Sequence, residues 1–320
     1  MRLWEVELSL SLALPLDDAP LPTLPPGPPY AAEALHGWAG RSFLLPASDP
    51  RLPDLFEGGA APTPPLENLA GAAHAWEDHP AYMDYLDPSS PNHEAKRIER
   101  AIYLDTWQGW LPPGALRVLD AGAGVGRWAT WFLDRGDAVT LVDPDLRSLW
   151  RALWASIGRR GSLDLHWSTV EAMPPLGPAD VAIASELLCY AEDPVRAVDR
   201  LADALAPGGL LLASVEARWG WAFSMDAPAG ALEGWLSDGV VHIPGDRWVR
   251  TFEEEDFATL LRRRFEILEL RPSHYTYSGA FEAITGTPDL EAALAIEARL
   301  RAHPRSRWLN RAWVAVGRKR

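Results

Sequence analysis

Cysteine is all but missing from this chain. Cys189 is the single one in 320 residues, which excludes an intramolecular disulfide and a cysteine-rich metal site. Basic charge is also in short supply, with 30 Lys and Arg against 44 Asp and Glu and a net charge of −14. A surface of that sign repels phosphates, so no nucleic-acid partner is expected. Long apolar runs are absent as well. Leu8 to Leu14 is too short to span a bilayer and Pro15 interrupts it, and the first residues lack the basic end and apolar stretch of an export signal. The expectation is a cytoplasmic protein without a membrane partner. There are eight histidines, and His74 and His79 stand five apart rather than the four of a helical ligand pair, so no metal is expected.

Proline, by contrast, is plentiful and unevenly spread. Ala13 to Tyr30 holds seven, and Ala60 to Pro65 is a second proline-rich stretch. Without an N–H, proline cannot sustain a strand ladder. Residues 1–96 are therefore expected to form an N-terminal extension of extended connections and short helices. Within it, Trp4, Val6, Leu8, Leu10 and Leu12 alternate with more polar neighbours and suggest an edge strand.

From about Pro91 the pattern becomes regular. His93 to Trp110 reads as a helix, and strands are expected near Arg117–Ala121, Ala138–Val142, Leu163–Trp167, Asp180–Ser185, Leu210–Val215, Phe265–Leu270 and Ala312–Val316. Seven strands with crossover helices imply an α/β fold over residues 97–320. Its core would be a doubly wound, mostly parallel sheet with helices on both faces. Asp145 reads as the cap of a helix starting near Leu146, and Thr251 with Glu254 as the capping box of a helix over Phe252 to Arg263.

The most telling run is Val118-Leu-Asp-Ala-Gly-Ala-Gly-Val-Gly126, an apolar strand that meets an acid and then three glycines at alternate positions. Glycine lets the backbone turn sharply and approach a ligand closely, and the helix that opens at Arg127 points its free N–H groups into the same space. The dinucleotide spacing Gly-x-Gly-x-x-Gly fails because Arg127 occupies its third glycine position, and no Gly-Lys-Ser/Thr follows for a phosphate loop. A second strand, Val139 to Asp143, ends in an acid 17 residues beyond Gly126. A carboxylate at that strand tip can accept two hydrogen bonds from a ribose diol.

These elements resemble the class I S-adenosylmethionine-dependent methyltransferases. The resemblance continues through Asp180-Val-Ala-Ile-Ala-Ser-Glu186, which reads like their fourth strand, and Leu205-Ala-Pro-Gly-Gly to Val215, like the turn into their fifth. It implies S-adenosyl-L-methionine as cofactor and a final strand inserted antiparallel. Asp120 and Gly122 would then line the methionine end, with Gly124 and Gly126 supporting the cofactor's close approach and Ala123 between them as a further cofactor contact. Asp143 would bind the ribose, and Thr169 and Val170 would meet the adenine, with Thr169 standing where the family often has an acid. Glu186 would border the methyl-transfer centre.

Methyl transfer also needs an acceptor site and, for a protic acceptor, a base. Glu186, His242 and His274 are the candidate bases, with Tyr190 as an orienting donor. Glu186 serves equally well as a cap or pocket wall. Two insertions, 216–250 and 274–310, emerge where ligands sit in open α/β sheets. They supply Trp219, Trp221, His242 and Tyr275 as candidate acceptor contacts, and packing is the other reading of the tryptophans. Tyr82 and Tyr85 precede the first helix and are lid or surface residues. The expected activity is methylation of a small aromatic or apolar metabolite, in the style of bacterial secondary metabolism, by a monomer or homodimer. The alternatives are a cofactor-binding protein without catalysis and a methyltransferase of protein substrates.

Overall fold

The computed structural model describes residues 8–10, 84–156, 158–222, 235–242, 248–276 and 288–320. Expectations for His74, His79 and Tyr82, and for the side chains of Trp221 and His242, fall outside the described parts.

One mixed sheet organises the molecule. Its strands are β1 (Leu8–Leu10), β2 (Arg117–Ala121), β3 (Ala138–Asp143), β4 (Ser162–Trp167), β5 (Ala179–Ser185) and β6 (Leu205–Glu216), followed by β9 (Phe265–Ser273) and β10 (Ala312–Lys319). They lie in the order β1-β4-β3-β2-β5-β6-β10-β9. From β1 through β6 all neighbours are parallel, and β10 runs antiparallel to both β6 and β9. The seven expected strands are all present. The eighth, β1, is a three-residue edge inside the segment whose alternation suggested a strand. A separate hairpin, β7 (Val240–His242) with β8 (Trp248–Arg250), lies in the segment after β6.

Parallel neighbours require crossovers. The helices α1 (His93–Trp107), α2 (Arg127–Arg135), α3 (Leu146–Ser156), α4 (Pro194–Ala204), α5 (Arg218–Ala222), α6 (Glu254–Arg262) and α7 (Leu290–Ala302) supply most of them or flank the sheet. The two-residue period of the strands divides the core in two. Leu119, Ala182, Leu211 and Ala213 pack in one cluster with Leu201 and Trp313, whereas Val118, Val181, Leu210 and Leu212 pack in the other with Phe132 and Trp107. Apolar surface is thus removed from water on both faces, which is why these strands read as nearly continuous apolar runs.

Local stop and start signals explain the boundaries, with one correction. Asp145 caps α3, its Oδ2 accepting from the Ser148 N–H at 3.2 Å, and Asp193 caps α4 by accepting from the Arg196 N–H at 3.0 Å. The expected capping box at Thr251 does not form. Its hydroxyl instead donates to the Gly239 carbonyl at 2.7 Å, tying the β7 hairpin down, and α6 begins at Glu254 with three acids in its first turn that suit the helix dipole. The strand order reverses direction between β2 and β5. A crevice opens there, at the carboxyl ends of the strands.

Candidate functional site

That crevice is a cavity of ≈ 400 Å³, within the range of small-molecule sites. One wall is the glycine loop between β2 and α2. Gly122, Gly124 and Gly126 all have positive φ, yet they do different jobs. A Cβ on Gly122 would lie 2.9 Å from Leu187 Cδ1, one on Gly126 would lie 2.7 Å from Ala152 Cβ, and one on Gly124 would meet only the Tyr85 hydroxyl at 3.7 Å. Gly126 is therefore a packing glycine that lets α2 approach α3, and it supports the loop from behind rather than lining the cavity. Gly122 and Gly124 line the cavity with Ala123.

Asp143 at the tip of β3 closes this wall. Its Oδ2 accepts from the Gly124 N–H and its Oδ1 from the Asp145 N–H, both at 2.8 Å, so carboxylate and loop hold each other. Thr169 and Val170, just after β4, line the same end, and Thr169 Oγ1 accepts from the Ala172 N–H at 3.2 Å. Behind the loop, Asp120 is 1% exposed. Burial pushes its carboxyl up to about 7 despite the opposing charge of Arg127, with Asp143 adding to the rise. Its Oδ2 has no hydrogen-bond partner among the described residues.

The opposite wall is charged and aromatic. Glu186 follows β5 with φ 60, a left-handed conformation that a non-glycine residue keeps only when its surroundings enforce it. Its N–H is held by the Ser214 carbonyl at 3.0 Å and the Ser214 hydroxyl at 3.1 Å, and Oε1 accepts from the Tyr103 hydroxyl at 2.8 Å. Leu187, Tyr190, Glu216 and Arg311 continue this wall, and Tyr85 and Lys96 close the side nearest α1. Arg311 sits 3.3 and 3.5 Å from the two Glu216 oxygens.

Arg127 and Glu99 are buried and Lys96 is half-buried beside them, and the three form a charged cluster. Arg127 Nη1 is 2.8 Å from Glu99 Oε1, Arg127 Nη2 is 3.9 Å from Glu186 Oε1, and Lys96 Nζ is 2.7 Å from Glu99 Oε2. The environment separates the two acids. Burial raises Glu186, reinforced by the charge of Glu99. Burial also works against ionised Glu99, but Lys96 and Arg127 outweigh it and hold that carboxyl well below the usual range. None of Lys96, Glu99, Arg127, Glu216 or Arg311 stood out in the sequence as a site residue. The single hint was a cation at the first position of α2, where the helix dipole disfavours one.

Several expected site residues lie elsewhere. His274, with φ 63, is 3% exposed and outside the cavity wall. Its N–H donates to Glu297 Oε2 at 3.0 Å and its Nε2 lies 3.3 Å from the Glu99 carbonyl. Burial pushes its imidazole down to about 3, so it is a neutral core group rather than a base facing an acceptor. Tyr275 is fully buried beside it, its phenol pushed up to about 12 by burial. Trp219 is 42% exposed and meets Trp235 edge to face at 5.2 Å, also away from the cavity wall. The His242 backbone pairs with Trp248 in the hairpin.

A doubly wound sheet with a glycine cradle and a strand-tip carboxylate at its switch point places this cavity where open α/β sheets bind their ligands. Comparison with known proteins gives its family. Residues 76–269, more than half of the chain, match the family described as "Methyltransferase domain", and the chain belongs to it. A ubiquinone biosynthesis O-methyltransferase from Paracidovorax citrulli is 27% identical over 237 residues, covering 72% of this chain and 92% of that protein. One from a Bradyrhizobium species is 32% identical over 99 residues, covering 31% of this chain and only 39% of the relative's length. Among solved structures, the N-methyltransferase NodS from Bradyrhizobium japonicum in complex with S-adenosyl-L-homocysteine has a TM-score of 0.47 at 15% identity, covering 75% of this chain and 96% of that one.

The enzyme is an S-adenosylmethionine-dependent methyltransferase. The residues present fit that cofactor: a Cβ at Gly124 would intrude on the cavity, and Asp120 keeps a buried carboxylate oxygen beside the loop without a protein partner. Among the described residues, no helix is long and apolar enough to cross a membrane, and no three His, Cys, Asp or Glu side chains are grouped to hold a metal ion.

Proposed function

We propose that the enzyme methylates a small aromatic metabolite at a protic atom, a hydroxyl or an amine, and that Glu186 takes the proton. In this reading Gly122, Ala123 and Gly124 receive the methionine portion of the cofactor, Asp143 the ribose hydroxyls, and Thr169 with Val170 the adenine. When bound, the cofactor supplies a methyl group on positive sulfur. The chain's residues do the rest: they exclude water, orient the acceptor and accept a proton.

The observation that carries the reading is Glu186 itself. A strained backbone turns a partly buried carboxylate, raised by burial, into the cavity shared with the glycine loop. An acid with a raised affinity for protons, beside one held ionised, is an arrangement suited to proton transfer. Tyr190, Tyr85 and Leu187 offer flat and apolar contact, and Glu216 with Arg311 a polar end. A mixed wall of this kind favours an aromatic ring with a polar substituent over a purely apolar acceptor.

The test is a panel of phenols, catechols and aryl amines incubated with S-adenosylmethionine and scored for S-adenosylhomocysteine. Glu186→Gln is expected to lower turnover on a productive acceptor by about 10²–10⁴-fold while S-adenosylhomocysteine still binds. Undiminished turnover in that variant would refute the role of Glu186.

A further inference from the structure

Tyr103 belongs to no motif, yet it reaches the reacting end of the cavity from behind. It lies on α1, is 1% exposed, and its hydroxyl donates to Glu186 Oε1 at 2.8 Å. Its ring cannot turn away. It stacks on Trp107 with centroids 4.9 Å apart and planes 16° from parallel, meets Trp128 edge-on at 5.8 Å, and has the His274 ring at 4.1 Å. Such a packed ring keeps one rotamer, so the direction of the phenol oxygen is fixed.

Every element around Glu186 presents a charged or titratable group. These are Lys96, Glu99 and Tyr103 from α1, Arg127 from α2, Glu216 from β6, and Cys189 from the turn after β5. Arg311 before β10 and Tyr85 before α1 complete the set. Lys96 is paired with Glu99 and Arg311 with Glu216, and Arg127, 2.8 Å from Glu99, reaches Glu186 Oε1 at 3.9 Å as an ion pair beyond hydrogen-bond distance. Among the described residues, Tyr103 is the side chain that hydrogen-bonds the Glu186 carboxylate.

We propose that Tyr103 is a positioning residue for methyl transfer: its hydroxyl pins Glu186 Oε1, leaving Oε2 to accept the proton of the acceptor. The proposal rests on the reading of Glu186 as the base. In the step it serves, the acceptor's lone pair forms the bond to the methyl carbon. The carbon–sulfur bond breaks with its electron pair left on sulfur, and the acceptor's proton passes to Oε2 and then to water. The phenol stays neutral throughout, because burial and the nearby Glu186 charge raise it well above its ordinary range.

A full-length protein carrying carboxyl-¹³C glutamate tests this, the Glu186 signal being assigned by its loss in Glu186→Gln. A hydrogen bond to the ionised form favours that form. Tyr103→Phe is therefore expected to raise the Glu186 titration midpoint by about one pH unit, roughly tenfold in proton affinity, whereas Trp107→Phe, which alters the same packing without a hydroxyl, leaves it in place. Should Tyr103→Phe not fold, as judged by loss of S-adenosylhomocysteine binding, 3-fluorotyrosine installed at position 103 keeps the ring and strengthens the donor, and the midpoint is expected to fall. An unmoved midpoint in a folded Tyr103→Phe or fluorotyrosine protein overturns the proposal. Normal turnover in Glu186→Gln overturns the underlying base assignment instead, and the two failures are read by separate measurements.

Discussion

Asp143 and Gly124 are joined directly: the carboxylate at the tip of β3 accepts the N–H of the middle glycine of the loop at 2.8 Å. The group assigned to the ribose thus also fixes the backbone that approaches the rest of the cofactor. Asp143→Ala is accordingly expected to weaken S-adenosylhomocysteine binding by about 1.5–3 kcal/mol from charged hydrogen bonds alone, with loop disorder adding to it. Asp143→Asn keeps an oxygen for Gly124 and should lose less. Calorimetry on the two variants decides; equal losses would mean that anchoring the loop contributes nothing.

The three glycines should separate when substituted. Gly126→Ala puts a methyl 2.7 Å from Ala152 Cβ and is expected to lower the melting temperature, with cofactor affinity following only as far as the fold loosens. Gly124→Ala meets no backbone, so its penalty is the left-handed conformation, roughly 1–2 kcal/mol, together with weaker cofactor binding. Gly122→Val collides with Leu187 and should abolish binding. Thermal melts paired with S-adenosylhomocysteine titrations check the order, and a Gly126→Ala protein of normal stability would contradict the packing role.

Asp120 makes the ligand-free protein pH-sensitive. Its folded pKa of about 7 lies above the unfolded value near 4, so between those values the folded state holds more protons than the unfolded one. By linkage, this group's contribution to stability is full below about pH 4 and is lost as pH rises through 7. Asp120→Asn should flatten that decline in denaturant melts collected from pH 5 to 8. Parallel pH profiles for the variant and the parent would show that the buried carboxyl does not titrate there.

What could be read from the sequence followed from local chemistry. β2, β5 and β6 are buried on both faces and must be apolar along their length, while the loop glycines carry backbone angles that other residues avoid, so both leave marks on neighbouring positions. The strand-tip acid Asp143 was legible for the same reason. The cluster under the cavity was not, because Arg127 finds Glu99 28 residues away and Tyr103 finds Glu186 83 residues away, through packing that no spacing rule encodes. His274 and Tyr275 misled in the opposite sense. Their residue types suggest chemistry, but the end of β9 turns them inward, where Glu297 accepts the N–H groups of His274 and Thr276.

The antiparallel insertion of β10 has a kinetic consequence. A parallel strand delivers its last residue to the crevice, but β10 runs the other way and delivers the residue that precedes it, Arg311. Its partner Glu216 lies 95 residues earlier, and contacts between such distant residues carry a high loop-closure entropy and form slowly. Until β10 has slotted between β6 and β9, this side of the cavity lacks its guanidinium and Glu216 faces it without a counter-charge. During refolding, the appearance of catalytic competence should therefore trail the recovery of helical signal, reporting the arrival of this strand rather than the collapse of the core.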